Sequence, residues 1–129
     1  MSFNKSILII DDDDDDRDVF CEVVSELNSS INCETAINGD DGLQKLMSFE
    51  QLPKLIFLDL NMPLMNGTEF LQKVKASESL KDIPVIIFST TSDERAIRNV
   101  KMLGAIDFIT KPDKFKDWRT VIKPFISQV

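Results

Sequence analysis

The chain has 129 residues, the size of one ordinary domain, and its 43% hydrophobic and 29% charged residues are the balance of a globular protein. A net charge of −7 argues against nucleic acid as a direct partner and against docking on an anionic membrane surface. No apolar run approaches the roughly 18 residues a bilayer span needs, Met1 to Ser6 lacks the long apolar segment of a signal peptide, and the absence of histidine removes Ser-His and Cys-His catalysis and the usual zinc sites.

Strands and helices alternate along the chain. Ser6 to Ile10 is a short apolar run ended by acids, as a buried parallel strand is. From Asp14 to about Leu27, the residues Val19, Phe20, Val23, Val24 and Leu27 recur at helical spacing. Asn32 to Ile37 alternates like a second strand, and Asn38-Gly39 is a turn signal. Asp40 to Phe49 carries Leu43, Leu46 and Met47 on a helical period. Cys21 and Cys33 show no metal or redox spacing, so they read as reduced packing residues in a cytoplasmic protein.

Leu55 to Leu58 is a third strand, stopped by Asp59. Asn66-Gly67 precedes a helix bearing Phe70, Leu71 and Val74. Pro84 opens a fourth strand, Val85 to Phe88, and Ser92 to Leu103 reads as a helix capped by Ser92 or Asp93 and stopped by Gly104. Ile106 to Thr110 is a short fifth strand. The last helix, Asp113 to about Ile126, carries Phe115, Trp118, Ile122 and Phe125, and Pro124 should kink it or end it early. Five strand-helix units imply a doubly wound α/β domain, a parallel sheet with helices on both faces, over residues 1–129.

Ligands of such sheets bind outside the carboxyl ends of the strands. Those ends carry Asp11 and Asp12, Asp59, Ser89 and Thr90, and Lys111. Three carboxylates in one cleft repel each other unless a cation joins them, and hard oxygen ligands select Mg²⁺ or its relatives. A carboxylate, a metal, a lysine and a hydroxyl together form a kit for accepting a phosphoryl group. Taken singly, each piece has a plainer reading. An Asp after a strand is usually a cap or turn residue, a strand-end hydroxyl is ordinary, and a lysine is usually a surface charge. Asp13 to Asp16 read better as a solvated patch suited to a helix N-terminus. The four features together at strand ends favour the functional reading.

The segments Ile7 to Asp12, Leu58 to Gly67, Val85 to Thr90 and Phe108 to Pro112 resemble, in order and spacing, the signatures of response-regulator receiver domains of the single-domain, chemotaxis-regulator type. The Asp59-Leu60-Asn61-Met62-Pro63-Leu64-Met65-Asn66-Gly67 stretch is the most specific of them. The resemblance implies a flavodoxin-like sheet in the order 2-1-3-4-5 with five helices, and a length with no room for an output domain. It implies phosphorylation of Asp59 by a histidine kinase or phosphotransfer protein, signalling to an unidentified downstream protein, and no enzyme activity beyond the chain's own phosphorylation and slow dephosphorylation. Mg²⁺ would be bound by the side chains of Asp12 and Asp59, the backbone carbonyl of Asn61, and Asp11 through water. Ser89 would bond the phosphoryl group, where Thr is commoner, and Lys111 would pair with it. The Lys111-Pro112 bond would be cis. Phe108 stands where the family often has a switching Tyr, and it lacks that hydroxyl. Phosphohydrolases with an aspartyl-phosphate intermediate are a rival, but they resemble Asp-x-Asp, and here Asn61 stands two residues after Asp59. A calcium loop is a weaker rival, since the Asp run lacks the Gly and distal Glu of that motif.

Overall fold

The computed structural model describes residues 5–62 and 65–129; Pro63 and Leu64 of the signature stretch and Met1 to Asn4 lie outside the described residues. Five strands, β1 (Lys5–Ile10), β2 (Ile31–Ala36), β3 (Leu55–Leu58), β4 (Val85–Ser89) and β5 (Asp107–Thr110), form one sheet in the order β2-β1-β3-β4-β5. Every neighbouring pair is parallel. The helices between them are α1 (Asp14–Leu27), α2 (Gly39–Ser48), α3 (Gly67–Ala76), α4 (Glu94–Met102) and α5 (Trp118–Ile126).

The sheet works because its central strands are apolar on both faces. Side chains alternate along a strand, so Ile7 and Ile9 point one way and Leu8 and Ile10 the other. Ile7, Ile9, Phe57, Ile86 and Phe88 pack with Phe20, Val23 and Val24 of α1 and with Trp118, Ile122 and Ile126 of α5. Leu8, Ile10, Ile56, Leu58, Val85 and Ile87 pack with Leu46 of α2, Phe70, Leu71 and Val74 of α3, and Val100 of α4. Each fully buried side chain of this size contributes about 1.5–3 kcal/mol of transfer free energy. On the α1–α5 side the aromatic rings interlock: Phe20 lies 4.7 Å from Phe57, and Phe88 meets Trp118 edge-on at 4.9 Å.

Four helices are started by residue types that favour caps. Asp13 accepts from the Asp16 N–H, Asn38 from Asp41, and Asn66 from Glu69. Asn38-Gly39 is therefore a cap and first helical residue, not a separate turn. Asp93, and not Ser92, caps α4, while Gly104 takes φ +111° just past its end, a conformation that favours glycine. β2 lies one residue earlier than its alternation suggests, which leaves Ile37 exposed.

Three expectations are corrected. The last helix does not begin at Asp113: residues Phe115–Asp117 form a 3₁₀ turn, and α5 begins at Trp118. It also continues through Pro124 to Ile126, held by the packing of Ile122 and Ile126 and by the Ser127 N–H donating to the Lys123 carbonyl. Cys21 and Cys33 are not separate thiols. One faces out of α1 toward β2 and the other stands on β2, with Cα atoms 5.6 Å apart, and the two are joined as a disulfide. A spacing of 12 residues carries no redox signature; the pairing arises because α1 folds back along β2.

Candidate functional site

The backbone ladder extends one residue beyond three strands, and those residues are the acids and the lysine. The Asp11 N–H donates to the Ala36 carbonyl at 3.1 Å, Asp59 N–H to Ile10 at 2.9 Å, and Lys111 N–H to Ser89 at 2.8 Å. Their Cα positions are thereby set by sheet register, and their side chains meet at one edge. Among the described residues, Asp11, Asp59, Ser89 and Lys111 are the buried polar and charged ones, with exposures of 1%, 6%, 0% and 7%. Asp12 is exposed at the rim, as are Asn61 and Thr90.

The carboxylates of Asp11, Asp12 and Asp59 each offer an oxygen, and these lie within 4.8 Å of one another. The Lys111 ammonium donates to Asp11 Oδ2 at 2.5 Å and to Asp16 Oδ2 at 2.8 Å, and stands 3.8 Å from Asp59 Oδ2. The Asn61 N–H reaches Asp59 Oδ1 at 3.4 Å, and the Asn61 amide donates to Thr91 Oγ1 at 3.2 Å. The Thr91 N–H points at the Ser89 hydroxyl at 3.5 Å. Thr90 takes no part in the cluster.

Burial dominates the electrostatics. It pushes the Asp11 carboxyl up to about 6, against the hydrogen bonds from Lys111 and the Asp13 N–H. It raises Asp59 as well, while Lys111, Ser89 and the Asn61 N–H pull the other way and Asp12 adds repulsion. For Lys111, burial opposes the charge, but hydrogen bonds to Asp11 and Asp16 outweigh it and its pKa is raised. Two buried acids that resist ionisation beside a third fit a divalent cation, whose charge would relieve all three.

Two sequence expectations change here. The Lys111-Pro112 bond is trans, since no peptide bond among the described residues is cis. The long lysine stem carries Nζ to Asp11 from a trans bond, so the dearer isomer is not needed. Pro112 is instead held by its carbonyl, which accepts from Trp118 Nε1 at 3.1 Å. Asp16 is not merely a solvated helix-end acid; it is a ligand of Lys111. Nothing in the run of six aspartates marks it out in the sequence. Asp13 keeps its capping role, and Asp14 pairs with Arg17.

An acidic pocket at the carboxyl edge of a 2-1-3-4-5 parallel sheet, with a buried lysine beside it, defines a flavodoxin-like module whose acids fit a divalent cation. The chain belongs to the response regulator receiver domain family, whose pattern matches residues 7–123. It is a receiver domain of the two-component response regulators. It is 40% identical over 111 residues to a protein-glutamate methylesterase/protein-glutamine glutaminase of Clostridium acetobutylicum, covering 84% of this chain and 31% of that protein. It is 31% identical over 119 residues to the probable C4-dicarboxylate response regulator DctR of Bacillus subtilis, covering 92% of this chain and 51% of that protein. The chain thus spans about a third to a half of the length of these relatives. Among solved structures, the phosphorylated cyanobacterial phytochrome response regulator RcpA superposes with a TM-score of 0.88 at 27% identity, over 94% of this chain and 90% of that one. The Mn²⁺-bound response regulator Rcp1 superposes at 0.81 with 26% identity, over 95% and 92%. Receiver domains are signalling modules that take a divalent metal in an acidic pocket and act with histidine kinases or phosphotransfer proteins. No helix among the described residues is long and apolar enough to cross a membrane.

Proposed function

We propose that Asp59 is the phosphoacceptor of a Mg²⁺-dependent phosphorelay step. The observation that carries this reading is the Asp59 carboxylate itself: it is buried at the end of β3, grouped with Asp11 and Asp12, and within 3.8 Å of the Lys111 ammonium. An Asp59 oxygen attacks the phosphorus of a phosphohistidine. The bond from phosphorus to the ring nitrogen breaks as the new phosphorus–oxygen bond forms, and the ring nitrogen takes up a proton. Lys111 stabilises the negative charge on the transferring group, and the buried Ser89 hydroxyl donates to one of its oxygens. Asp11, Asp12, Asp59 and the Asn61 carbonyl are the groups that would hold Mg²⁺. When bound, the ion supplies positive charge to the phosphoryl oxygens.

On this reading the chain works in the cytoplasm, receives its phosphoryl group from a histidine kinase or phosphotransfer protein, and acts on a downstream protein. It has no substrate turnover beyond its own phosphorylation and slow hydrolysis. The test is incubation with acetyl phosphate and Mg²⁺ followed by intact mass. Wild type should gain one phosphoryl group and Asp59→Asn none; equal modification of both proteins would refute the assignment.

A further inference from the structure

Lys111 carries three N–H donors. Two are committed to acids outside the acceptor, Asp11 at 2.5 Å and Asp16 at 2.8 Å, while Asp59 lies beyond hydrogen-bond distance at 3.8 Å. Asp16 is well placed to hold its share. Its backbone N–H is fixed on the Asp13 cap at 3.0 Å, and its carboxylate is mostly shielded, with 19% of the side chain exposed. Arg17, the next residue, ties the same turn down by donating to the Asp11 carbonyl at 2.7 Å. The first turn of α1 is thus tied down by backbone and side-chain hydrogen bonds while it holds a carboxylate 2.8 Å from the lysine.

We propose that Asp16 is a positioning residue that restrains Lys111 and so slows capture of the phosphoryl group. The proposal rests on the reading of Asp59 as acceptor. One N–H of the ammonium stays uncommitted, but Asp59 Oδ2 is 3.8 Å away, so Lys111 must shift toward β3 to pair closely with a group there, and that shift stretches its bond to Asp16, a charge-assisted bond of the strong kind. The Asp16 carboxylate, 2.8 Å from the ammonium that itself stands 3.8 Å from Asp59, is also near enough to repel an incoming dianion. Both effects act in one direction. Removing the Asp16 charge frees Lys111 and lowers the negative field at the acceptor, while Asp11 and Asp59 remain as counter-charges that keep the lysine seated in the cleft. Asp16 therefore sets how readily the domain charges, a setting made by a residue that touches neither metal nor phosphoryl group.

The experiment compares wild type, Asp16→Asn and Asp16→Glu as full chains at saturating Mg²⁺. It measures the phosphorylation rate with acetyl phosphate and the affinity for beryllofluoride. Trp118, the only tryptophan, bonded to Pro112 beside Lys111, serves as the fluorescent reporter. Asp16→Asn should bind beryllofluoride and take the phosphoryl group roughly three- to tenfold better, the size expected of one part-buried ion pair. Asp16→Glu, which keeps the charge, should return toward wild type. A purely structural role for Asp16 would lower thermal stability and leave beryllofluoride affinity unmoved, and that result, or a slower Asn variant, overturns the proposal. If Asp59→Asn still accepts the phosphoryl group, the acceptor reading falls and takes this proposal with it. If Asp59→Asn is inert and Asp16→Asn is unchanged, the proposal alone is refuted.

Discussion

Gly67 presses so closely on the main chain of Asp59 that a Cβ added to it would lie 2.5 Å from the Asp59 carbonyl oxygen and 2.7 Å from Leu60 Cα. Both neighbours are backbone, so neither can swing aside. The approach is held by the Gly67 N–H donating to the Leu60 carbonyl at 3.1 Å. Gly67→Ala must therefore push α3 away from the end of β3. We expect a loss of about 1–3 kcal/mol by overpacking, read by urea unfolding. Asp59 and Asn61 lie at this strand end, so phosphorylation by acetyl phosphate should slow more than Mg²⁺-free stability alone would explain. Wild-type stability in Gly67→Ala would show that the strand end yields freely.

The metal should be visible as stability. Mg²⁺ binds the folded cleft and not the unfolded chain, so a hundredfold excess over Kd should add about 2.7 kcal/mol. Asp12→Ala, at the exposed rim, should remove most of that gain with little change in the metal-free protein.

The sign of the pH effect follows from Asp11, whose carboxyl is raised from 3.8 to about 6 by burial. Between those values the folded state holds a proton that the unfolded state has lost, so this group makes metal-free stability fall as pH rises through that window. Ionised acids are what Mg²⁺ needs, so its stabilising effect should grow over the same window. Thermal melts at pH 5 and pH 7.5, with and without Mg²⁺, check both trends; a larger Mg²⁺ gain at pH 5 would contradict the metal site.

The Cys21–Cys33 bond closes a loop of 12 residues' separation between α1 and β2. A cross-link of that size restrains the unfolded chain by about 3 kcal/mol. Protein purified without reductant should take no iodoacetamide on either cysteine, and reduction should expose both and lower the melting temperature. Two alkylated cysteines in the unreduced, folded protein would mean that the thiols stay apart.

The architecture was legible because β1, β3 and β4 are short continuous apolar runs, a pattern that buried parallel strands share, and because acids or a hydroxyl stop each of them. The site was legible for the same reason: Asp11, Asp59, Ser89 and Lys111 each sit at or one past a strand end, where register dictates position. Contacts between elements distant in sequence were not legible. Asp16 reaches Lys111 across 95 residues, and nothing in a run of six aspartates distinguishes it from its neighbours. The Cys21–Cys33 pairing depends on how α1 lies against β2, which helical periodicity alone does not give. The expected cis bond at Lys111-Pro112 came from resemblance, and the trans bond shows that the lysine's reach suffices without it.

The route out of the site should run through β5 and α4. Ser89 ends β4 and pairs in register with Thr110, and Phe108 pairs with Ile87 one turn of the pleat below. Phe108 is half-buried against the cluster that includes Ala96, Val100 and Leu103. α4 is thinly anchored: Val100 is its one fully buried side chain in nine residues, whereas α3 buries Gly67, Phe70, Leu71 and Val74 in ten. A helix held by so few apolar contacts is the element that opens or shifts most readily. If Ser89 turns to bond a phosphoryl group on Asp59, it should vacate space toward α4, and Phe108 should bury more of its ring there. That burial is worth on the order of 1–2 kcal/mol, enough to shift two populations by about tenfold. Phe108→Ala should weaken the response of α4 without lowering the phosphorylation of Asp59. An NMR shift map with beryllofluoride and Mg²⁺ should show changes from Asp93 to Lys116 as well as at the cleft. Changes confined to the surroundings of Asp59, with Asp93 to Lys116 silent, would leave phosphorylation intact and refute this route.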